Sequence, residues 1–184
     1  MIPDRSPPER RDPMGMFLVR HADAGERASW EGDDALRPLT EAGLQQARGL
    51  AEWVGAYRPG RLLSSPHIRC VQTLEPLASA LRVTIERRPG LAEGRTRQAV
   101  ELFHSLLAEP TGRGVVLCSH GDVVDALLSL LFDKYGLDLG PAPRAQKGST
   151  WHISVEAAHP VWATYFPPAT EALNRLDRGH RPQD

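Results

Sequence analysis

The sequence is poor in cysteine and in long apolar runs, and each shortage excludes a class of protein. Its 184 residues include only two cysteines, Cys70 and Cys118. That is no disulfide framework, and a reducing compartment is the simpler interpretation. No apolar run approaches the roughly 18 residues of a membrane helix, and the N-terminus lacks the apolar core of a signal peptide. We therefore expect a cytoplasmic protein that does not interact with membranes.

Lysine and net charge are also scarce. The formal net charge is -1, which gives no reason to expect a nucleic-acid partner. Only Lys134 and Lys147 are lysines, so nearly all positive charge is carried by arginine. Guanidinium groups match phosphate oxygens bidentately. A phosphate ligand would therefore be held mainly by arginine forks.

The chain length suits one domain with a sizeable core. Residues 1–13 mix prolines and charges without an apolar period, which predicts a disordered leader. The predicted domain covers residues 14–166. Residues 167–184 are polar, and we expect a loosely ordered C-terminal tail.

Strand and helix patterns alternate along the predicted domain. Helical periodicity fills the intervals between apolar strands, and a hairpin pairing about 149–156 with 161–166 closes the domain. This rhythm predicts an α/β fold with three αβα layers and a mostly parallel sheet. The predicted parallel strands are 15–20, 61–64, 82–86 and 114–118.

Each of these strands is followed by residues suited to chemistry. Arg20 and His21 follow the first strand, a segment running to Arg69 follows the second, Glu93 the third and His120 the fourth. Ligands of open α/β sheets collect beyond the carboxyl ends of the strands. We therefore expect these groups to meet in one cleft, walled by the long loop of residues 22–38.

Two arginines, two histidines and a carboxylate suit phosphoryl transfer. A nucleophile must approach phosphorus in line, cations must hold the nonbridging oxygens, and an acid must protonate the leaving oxygen. Neutral imidazole is a competent nucleophile near neutral pH, and a protonated His120 would add positive charge. No Asp, Glu and His set has metal-ligand spacing, so the sequence predicts a reaction without metal or other cofactor.

Four segments resemble the histidine phosphatase superfamily, the phosphoglycerate mutase-like proteins. The segment 18–22 (Leu-Val-Arg-His-Ala) resembles the Arg-His-Gly signature, with Ala22 where glycine is most common. The segments 64–73, 91–93 and 119–121 are similar to the second arginine motif, the acid segment and the second histidine motif. All four occur in the family's order. The large helical insertion of true mutases is missing, which favours the short bacterial phosphatase branch, such as phosphohistidine phosphatases.

The resemblance implies a role for each matched residue. His21 would be the nucleophile that carries a phosphohistidine. Arg20, Arg69 and His120 would form the phosphate pocket, and Glu93 would be the general acid and base. The family fold, phosphoglycerate mutase-like, agrees with the predicted three layers. The implied partner is a small-molecule phosphate or a phosphoprotein.

A closer likeness involves the loop after His21. Its sequence resembles histidine phosphatase domains that occur fused to Nudix hydrolases, which act on nucleoside polyphosphates. Arg27 could then reach a substrate phosphate, and Trp30 could stack on a base; packing within the loop is the alternative for both. Asp33 and Asp34 are interpreted as a solvated loop face.

Other interpretations stay open at this point. Glu93 could be an exposed loop glutamate, and Asp122 a helix cap. The remaining histidines show no ligand spacing and are interpreted as surface or packing residues: His67, His104, His152 and His159. The rival function is a non-catalytic phosphate-binding module that recognises a phosphorylated partner.

Overall fold

The computed structural model describes residues 15–109, 113–140 and 145–169. The predicted leader, residues 1–13, lies outside these ranges, as does the predicted tail from residue 170 onward. Within the described ranges, no helix is both long and apolar enough to cross a membrane.

The described residues form one six-stranded sheet in the order β3-β2-β4-β1-β5-β6. The first four strands pair in parallel, whereas β5 pairs antiparallel to both β1 and β6. The prediction of a mostly parallel sheet with a C-terminal hairpin is confirmed. The strands are β1 (Met16–Arg20), β2 (Arg61–Ser64), β3 (Ile85–Arg87), β4 (Val115–Ser119), β5 (Thr150–Glu156) and β6 (His159–Phe166).

Helices cover both faces of this sheet. Because successive side chains of a strand point to opposite faces, Phe17 packs with α1 and α2, whereas Leu18 packs with α3 and α4. The central strand β4 is buried throughout, as expected for a strand covered on both sides. The helices are α1 (Glu41–Gly55), α2 (Ile68–Leu81), α3 (Thr96–Ala108) and α4 (Gly121–Asp133).

The third strand is shorter and begins later than predicted. Arg82 adopts a left-handed conformation, with φ of 56°, and caps the end of α2. The chain therefore enters the sheet only at Ile85. Alternation of apolar residues over 82–86 could not reveal this cap, because arginine rarely adopts positive φ.

The register of the parallel strands aligns their carboxyl ends. Arg20 lies opposite Ser119, and Ser64 lies opposite Cys118. The chain continues this alignment past the strands, since the backbone N–H of His21 donates to the carbonyl of Ser119 at 2.9 Å. The residues that follow β1, β2 and β4 are thus held side by side at one edge of the sheet.

Candidate active site

His21 is held in a defined orientation at the end of β1. Its Nδ1 lies 2.8 Å from the carbonyl oxygen of Ala22. A carbonyl can only accept, so Nδ1 carries the hydrogen and Nε2 keeps a free lone pair. Burial lowers the pKa of His21 to about 4; the hydrogen bond to Ala22 opposes this shift, and the charges of Arg69 and Arg20 add to it. The ring is therefore neutral near pH 7, as a nucleophile must be.

Arg20 and Arg69 line the same small cavity as His21. Arg69 is only 1 % exposed, and two carboxylates lie beside its Nη2, because a buried guanidinium is costly without anionic partners. Among the described residues, the Nε atoms of both arginines have no hydrogen-bond partner. Buried donors that lack partners are rare. The guanidinium groups of Arg20 and Arg69 are therefore suited to bind the oxygens of a phosphoryl group.

Glycine at position 121 lets Arg20 lie close to the start of α4. A β-carbon there would lie 3.2 Å from Cζ of Arg20, closer than most real contacts. Gly121 therefore permits a close approach between this guanidinium and the start of α4. The backbone N–H groups at the N-terminus of α4 also favour a nearby negative charge.

His120 is the N-cap residue of α4 and lines the cavity. Its ring centroid is 5.4 Å from that of His21, and its Nδ1 is 3.3 Å from Nη2 of Arg69. Burial lowers its pKa to about 2, helped by the positive charge of Arg69. The ring of His120 is therefore neutral in the free protein near pH 7. A protonated His120 beside a bound phosphoryl group stays a prediction.

Glu93 stands at the rim of the cavity, after the short 3-10 turn Pro89–Leu91. Its side chain is 46 % exposed, and its carboxylate lies 3.3 Å from Nη2 of Arg69 and 3.8 Å from Nη1 of Arg27. This is a carboxyl group that both a leaving group and water can reach. The geometry brings Glu93 to the site and leaves its role as acid a prediction.

Of the two tentative substrate residues, only one lines the cavity. Arg27 does so with a side chain that is 69 % exposed. Trp30 is not among the lining residues, and its indole N–H donates to the carbonyl of Asp33 at 3.0 Å. Stacking of Trp30 on a base stays a prediction.

The interpretation of Asp34 as part of a solvated loop face is wrong, because its carboxylate is largely buried against two arginines. Its carboxylate lies 2.8 Å from Nε of Arg37 and 3.0 Å from Nη2 of Arg69, and its carbonyl accepts from Nη1 of Arg69 at 2.7 Å. Burial raises the pKa of Asp34, but the hydrogen bond from Arg37 and the charge of Arg69 outweigh it and hold the pKa below its usual value. Asp34 therefore fastens the loop to Arg69 at the cavity.

Arg37 and Lys147 were also missed as cavity residues. Arg37 is buried and donates to the carbonyls of Ala24 and Gly25, at 2.6 and 3.2 Å. Lys147 donates to Asp23 at 3.1 Å and also reaches Gly25. Both groups hold the loop from the cavity side. The partner of Lys147 lies 124 residues away along the chain, so no local signal marks this lysine. The partners of Arg37 lie within its own loop, but they do not reveal from sequence that its side chain turns inward.

His67 was interpreted as a surface or packing residue, yet it belongs to the site. A ring nitrogen of His67 and carboxylate oxygens of Asp34 and Glu93 lie within 4.8 Å of one another, a grouping that could hold a metal ion. The sequence spacing did not reveal it. Nη2 of Arg69 already contacts both carboxylates, so a guanidinium cation supplies positive charge at this place. Reaction without a metal stays a prediction.

The cavity above His21 has a volume of about 200 Å³ and an excess of basic groups. A larger cavity of about 660 Å³ lies between the end of α4 and the β5–β6 hairpin, but none of the predicted catalytic or phosphate-binding residues lines it. The smaller cavity is therefore the candidate active site. Besides Gly25 and Gly121 it is lined by Arg20, His21, Glu26, Arg27, Arg37, Arg69, Glu93, His120 and Lys147.

Comparison with known proteins gives an independent view of the chain. Residues 16–97 match the family described as the histidine phosphatase superfamily, branch 1. The chain is 32% identical over 163 residues to an 8-oxo-(d)GTP phosphatase of Mycolicibacterium smegmatis; the match covers 87% of this chain and 50% of that protein. It is 30% identical over 122 residues to the phosphohistidine phosphatase SixA of Escherichia coli, covering 64% of this chain and 74% of SixA.

Solved structures support the same fold. A protein histidine phosphatase SixA complexed with tungstate superimposes with a TM-score of 0.70 at 24% identity, covering 86% of this chain and 99% of that one. A structure from Agrobacterium tumefaciens described as a phosphohistidine phosphatase SixA gives a TM-score of 0.68, also at 24% identity, over 85% of this chain and 99% of that one. The four motifs and these matches agree, and the chain therefore belongs to branch 1 of the histidine phosphatase superfamily.

Proposed function

We propose that the chain hydrolyses phosphate esters or phosphoanhydrides without a metal, through a covalent phosphohistidine on His21. One observation carries the proposal: a buried, neutral His21 with a free Nε2 shares a cavity with two arginines whose Nε atoms have no partner among the described residues. This combines an activated nucleophile with preorganised positive charge.

In the first step, the Nε2 lone pair of His21 forms a bond to phosphorus as the bond to the leaving oxygen breaks. Arg20 and Arg69 hold the nonbridging oxygens, and Glu93 in its carboxylic acid form gives its proton to the leaving oxygen. In the second step, the Glu93 carboxylate takes a proton from water, and the water oxygen attacks phosphorus. The P–N bond breaks, and phosphate and neutral His21 result.

The proposed substrate class is a small molecule with more than one phosphate, such as a nucleoside di- or triphosphate. Arg27 supports this class because its guanidinium lines the cavity outside the inner arginines, where a second phosphate would lie. The 8-oxo-(d)GTP phosphatase relative supports it too, although this chain spans half of that protein's length. Simple phosphate monoesters and phosphohistidine proteins are the alternative substrates, and a substrate panel should include all three classes.

Trapping the intermediate tests the catalytic proposal. Wild-type protein is mixed with a γ-labelled nucleotide and quenched in alkali, because phosphohistidine is acid-labile. We expect label on His21, no label in His21→Ala, and turnover that chelator leaves unchanged. Absence of label and of turnover across the substrate panel would instead indicate the non-catalytic phosphate-binding module. Loss of turnover on chelation would indicate a metal mechanism.

A further inference from the structure

The hydroxyl group of Ser65 lies between two histidine rings on the side of His120 away from Arg69. Ser65 is fully buried, and its Oγ is 2.8 Å from Nε2 of His120 and 3.1 Å from Nδ1 of His67. The two rings approach edge to face, with centroids 4.6 Å apart. Neither Ser65 nor His67 lines the cavity above His21.

The donors and acceptors in this chain of contacts can be assigned. Nδ1 of His120 faces a guanidinium N–H of Arg69. Because arginine can only donate, Nδ1 must accept this hydrogen bond and cannot carry a hydrogen of its own. A neutral His120 therefore carries its hydrogen on Nε2 and donates it to Ser65. The Ser65 hydroxyl then gives its own hydrogen to Nδ1 of His67, while the backbone N–H of His67 also donates to Ser65 Oγ at 3.3 Å.

We propose that Ser65 and His67 are positioning residues, which fix the ring and the tautomer of His120 and support its protonated form when a phosphoryl group binds. The inference deepens the proposed function and rests on it for the identity of the ligand. To donate to a phosphoryl oxygen, Nδ1 of His120 must gain a proton. A phosphate monoanion can supply it, because its second pKa is near 6.

Ser65 suits both states of His120. The imidazolium formed by this transfer carries hydrogens on both nitrogens. Its Nδ1 can no longer accept from Arg69, so the proposal requires a bound phosphoryl oxygen to replace the Arg69 N–H as the partner of Nδ1. Nε2–H still donates to Ser65. Without the Ser65 hydroxyl, a buried N–H would be left facing only the sulfur of Cys70, 3.6 Å from Nε2 and a weak acceptor. His67 holds the Ser65 hydrogen away from His120, which keeps the oxygen available as an acceptor.

Nitrogen-15 spectra of the histidine rings test the assignment without any need for turnover. In the free wild-type protein, we expect His120 to be protonated at Nε2 and bare at Nδ1, with signals assigned through a His120→Gln variant. Saturation with inorganic phosphate should protonate both nitrogens. A free protein with the hydrogen on Nδ1 would overturn the proposal.

Phosphate affinity, measured by titration on the same samples, tests the energetic claim. Removing the outer partner of a metal-bound histidine typically costs about 10- to 100-fold in metal affinity or activity. By analogy, we expect a loss of about 10-fold in phosphate affinity for Ser65→Ala. His67→Ala should also weaken binding, whereas His67→Asn, which retains an acceptor near the Nδ1 position, should restore it. Wild-type affinity in a folded Ser65→Ala protein would refute the role of Ser65.

The His67 pair keeps the test decisive if Ser65→Ala does not fold, because His67 is only half-buried. Equal phosphate affinity in His67→Ala and His67→Asn would overturn the proposed hydrogen bond from Ser65 to His67 as a support of His120. Failure of the proposed function is distinguishable, since it would appear as missing label on His21 while the tautomer and the affinity differences persist.

Discussion

The inner and outer halves of the candidate site are held in different ways. The inner half consists of Arg20, His21, Arg69 and His120; its histidines and Arg69 are between 1 and 6 % exposed. The outer half consists of Glu93 and the loop of residues 22–38, where the side chains of Glu93 and Arg27 are 46 % and 69 % exposed. Strand pairing fixes Arg20 and the two histidines, and the start of α2 carries Arg69. Ion pairs and carbonyl contacts hold the outer half.

This contrast separates two tasks. Groups fixed by the sheet can stabilise charge on a transferring phosphoryl group without reorganisation, which is where most catalytic energy is gained. Exposed ion pairs contribute little and are screened by salt. We therefore expect changes in the inner half to reduce every reaction, and changes in the outer half to alter the choice among substrates.

The largest effect is expected at Arg69, which contacts both halves. Arg69→Gln should lower kcat/KM by about 10²- to 10³-fold for every substrate, because it removes a preorganised cation and leaves Asp34 and Glu93 without their shared partner. Steady-state kinetics measure this fall in kcat/KM. Arg48→Gln, an exposed arginine on α1, is the matched control. A loss confined to one substrate class would contradict the assignment of Arg69 to the inner half.

Burial of a neutral His21 gives a prediction about stability. Its pKa is about 4 in the folded protein and about 6.5 in the unfolded chain, so the unfolded chain binds more protons between these values. The free energy of unfolding should therefore fall as pH falls from 6.5 to 4, by about 3 kcal/mol from this residue alone.

Urea unfolding at a series of pH values measures this fall. His21→Ala removes the titrating group, so its stability should decline less steeply over the same range. Parallel curves for the two proteins would show that His21 is not held neutral by the fold. The inner half would then lack the burial that distinguishes it from the outer half.

Within the outer half, Glu93 is the residue with a proposed role in the reaction itself, as the general acid. Glu93→Gln keeps the shape but cannot donate a proton, so hydrolysis of alkyl phosphates should slow by about 10²-fold. Activated aryl phosphates need no acid and should be affected much less. Glu101→Gln, an exposed glutamate on α3, controls for lost charge. An equal effect on both leaving groups would argue against the acid role.

The two halves also differ in how far the sequence predicts them. Arg20 ends β1, and His21 and His120 directly follow apolar strands; parallel pairing brings such positions to one edge whatever the loops do. The fold and the inner half were therefore predictable from periodicity and strand order. The four matched segments added the family.

The outer half depends on contacts that no local pattern encodes. Asp34 meets Arg69, which lies 35 residues away along the chain, and Lys147 meets Asp23 from 124 residues away. Its acidic neighbours made Asp34 resemble a solvated residue, although two arginines bind it. His67 was missed for the same reason, since only folding places it beside Asp34 and Glu93.

The smallest effect is expected at Arg27. It separates the two halves most clearly, because it should depend on the substrate. Arg27→Ala should reduce kcat/KM for nucleoside triphosphates by about 10-fold, as expected for a loss of 1.4 kcal/mol, and leave monoesters nearly unchanged. Because Arg27 is exposed, the difference should shrink at high salt. Arg97→Ala, an arginine that is 89 % exposed on α3, is the matched control.

Trp30→Ala completes the comparison within the same loop. If its ring stacks on a base, nucleotides should lose affinity while non-nucleotide polyphosphates do not; if it only packs against the loop, both classes should change together. A uniform loss for Arg27→Ala, equal for monoesters and triphosphates, would move Arg27 into the inner half. Substrate choice would then have to come from groups other than this loop arginine.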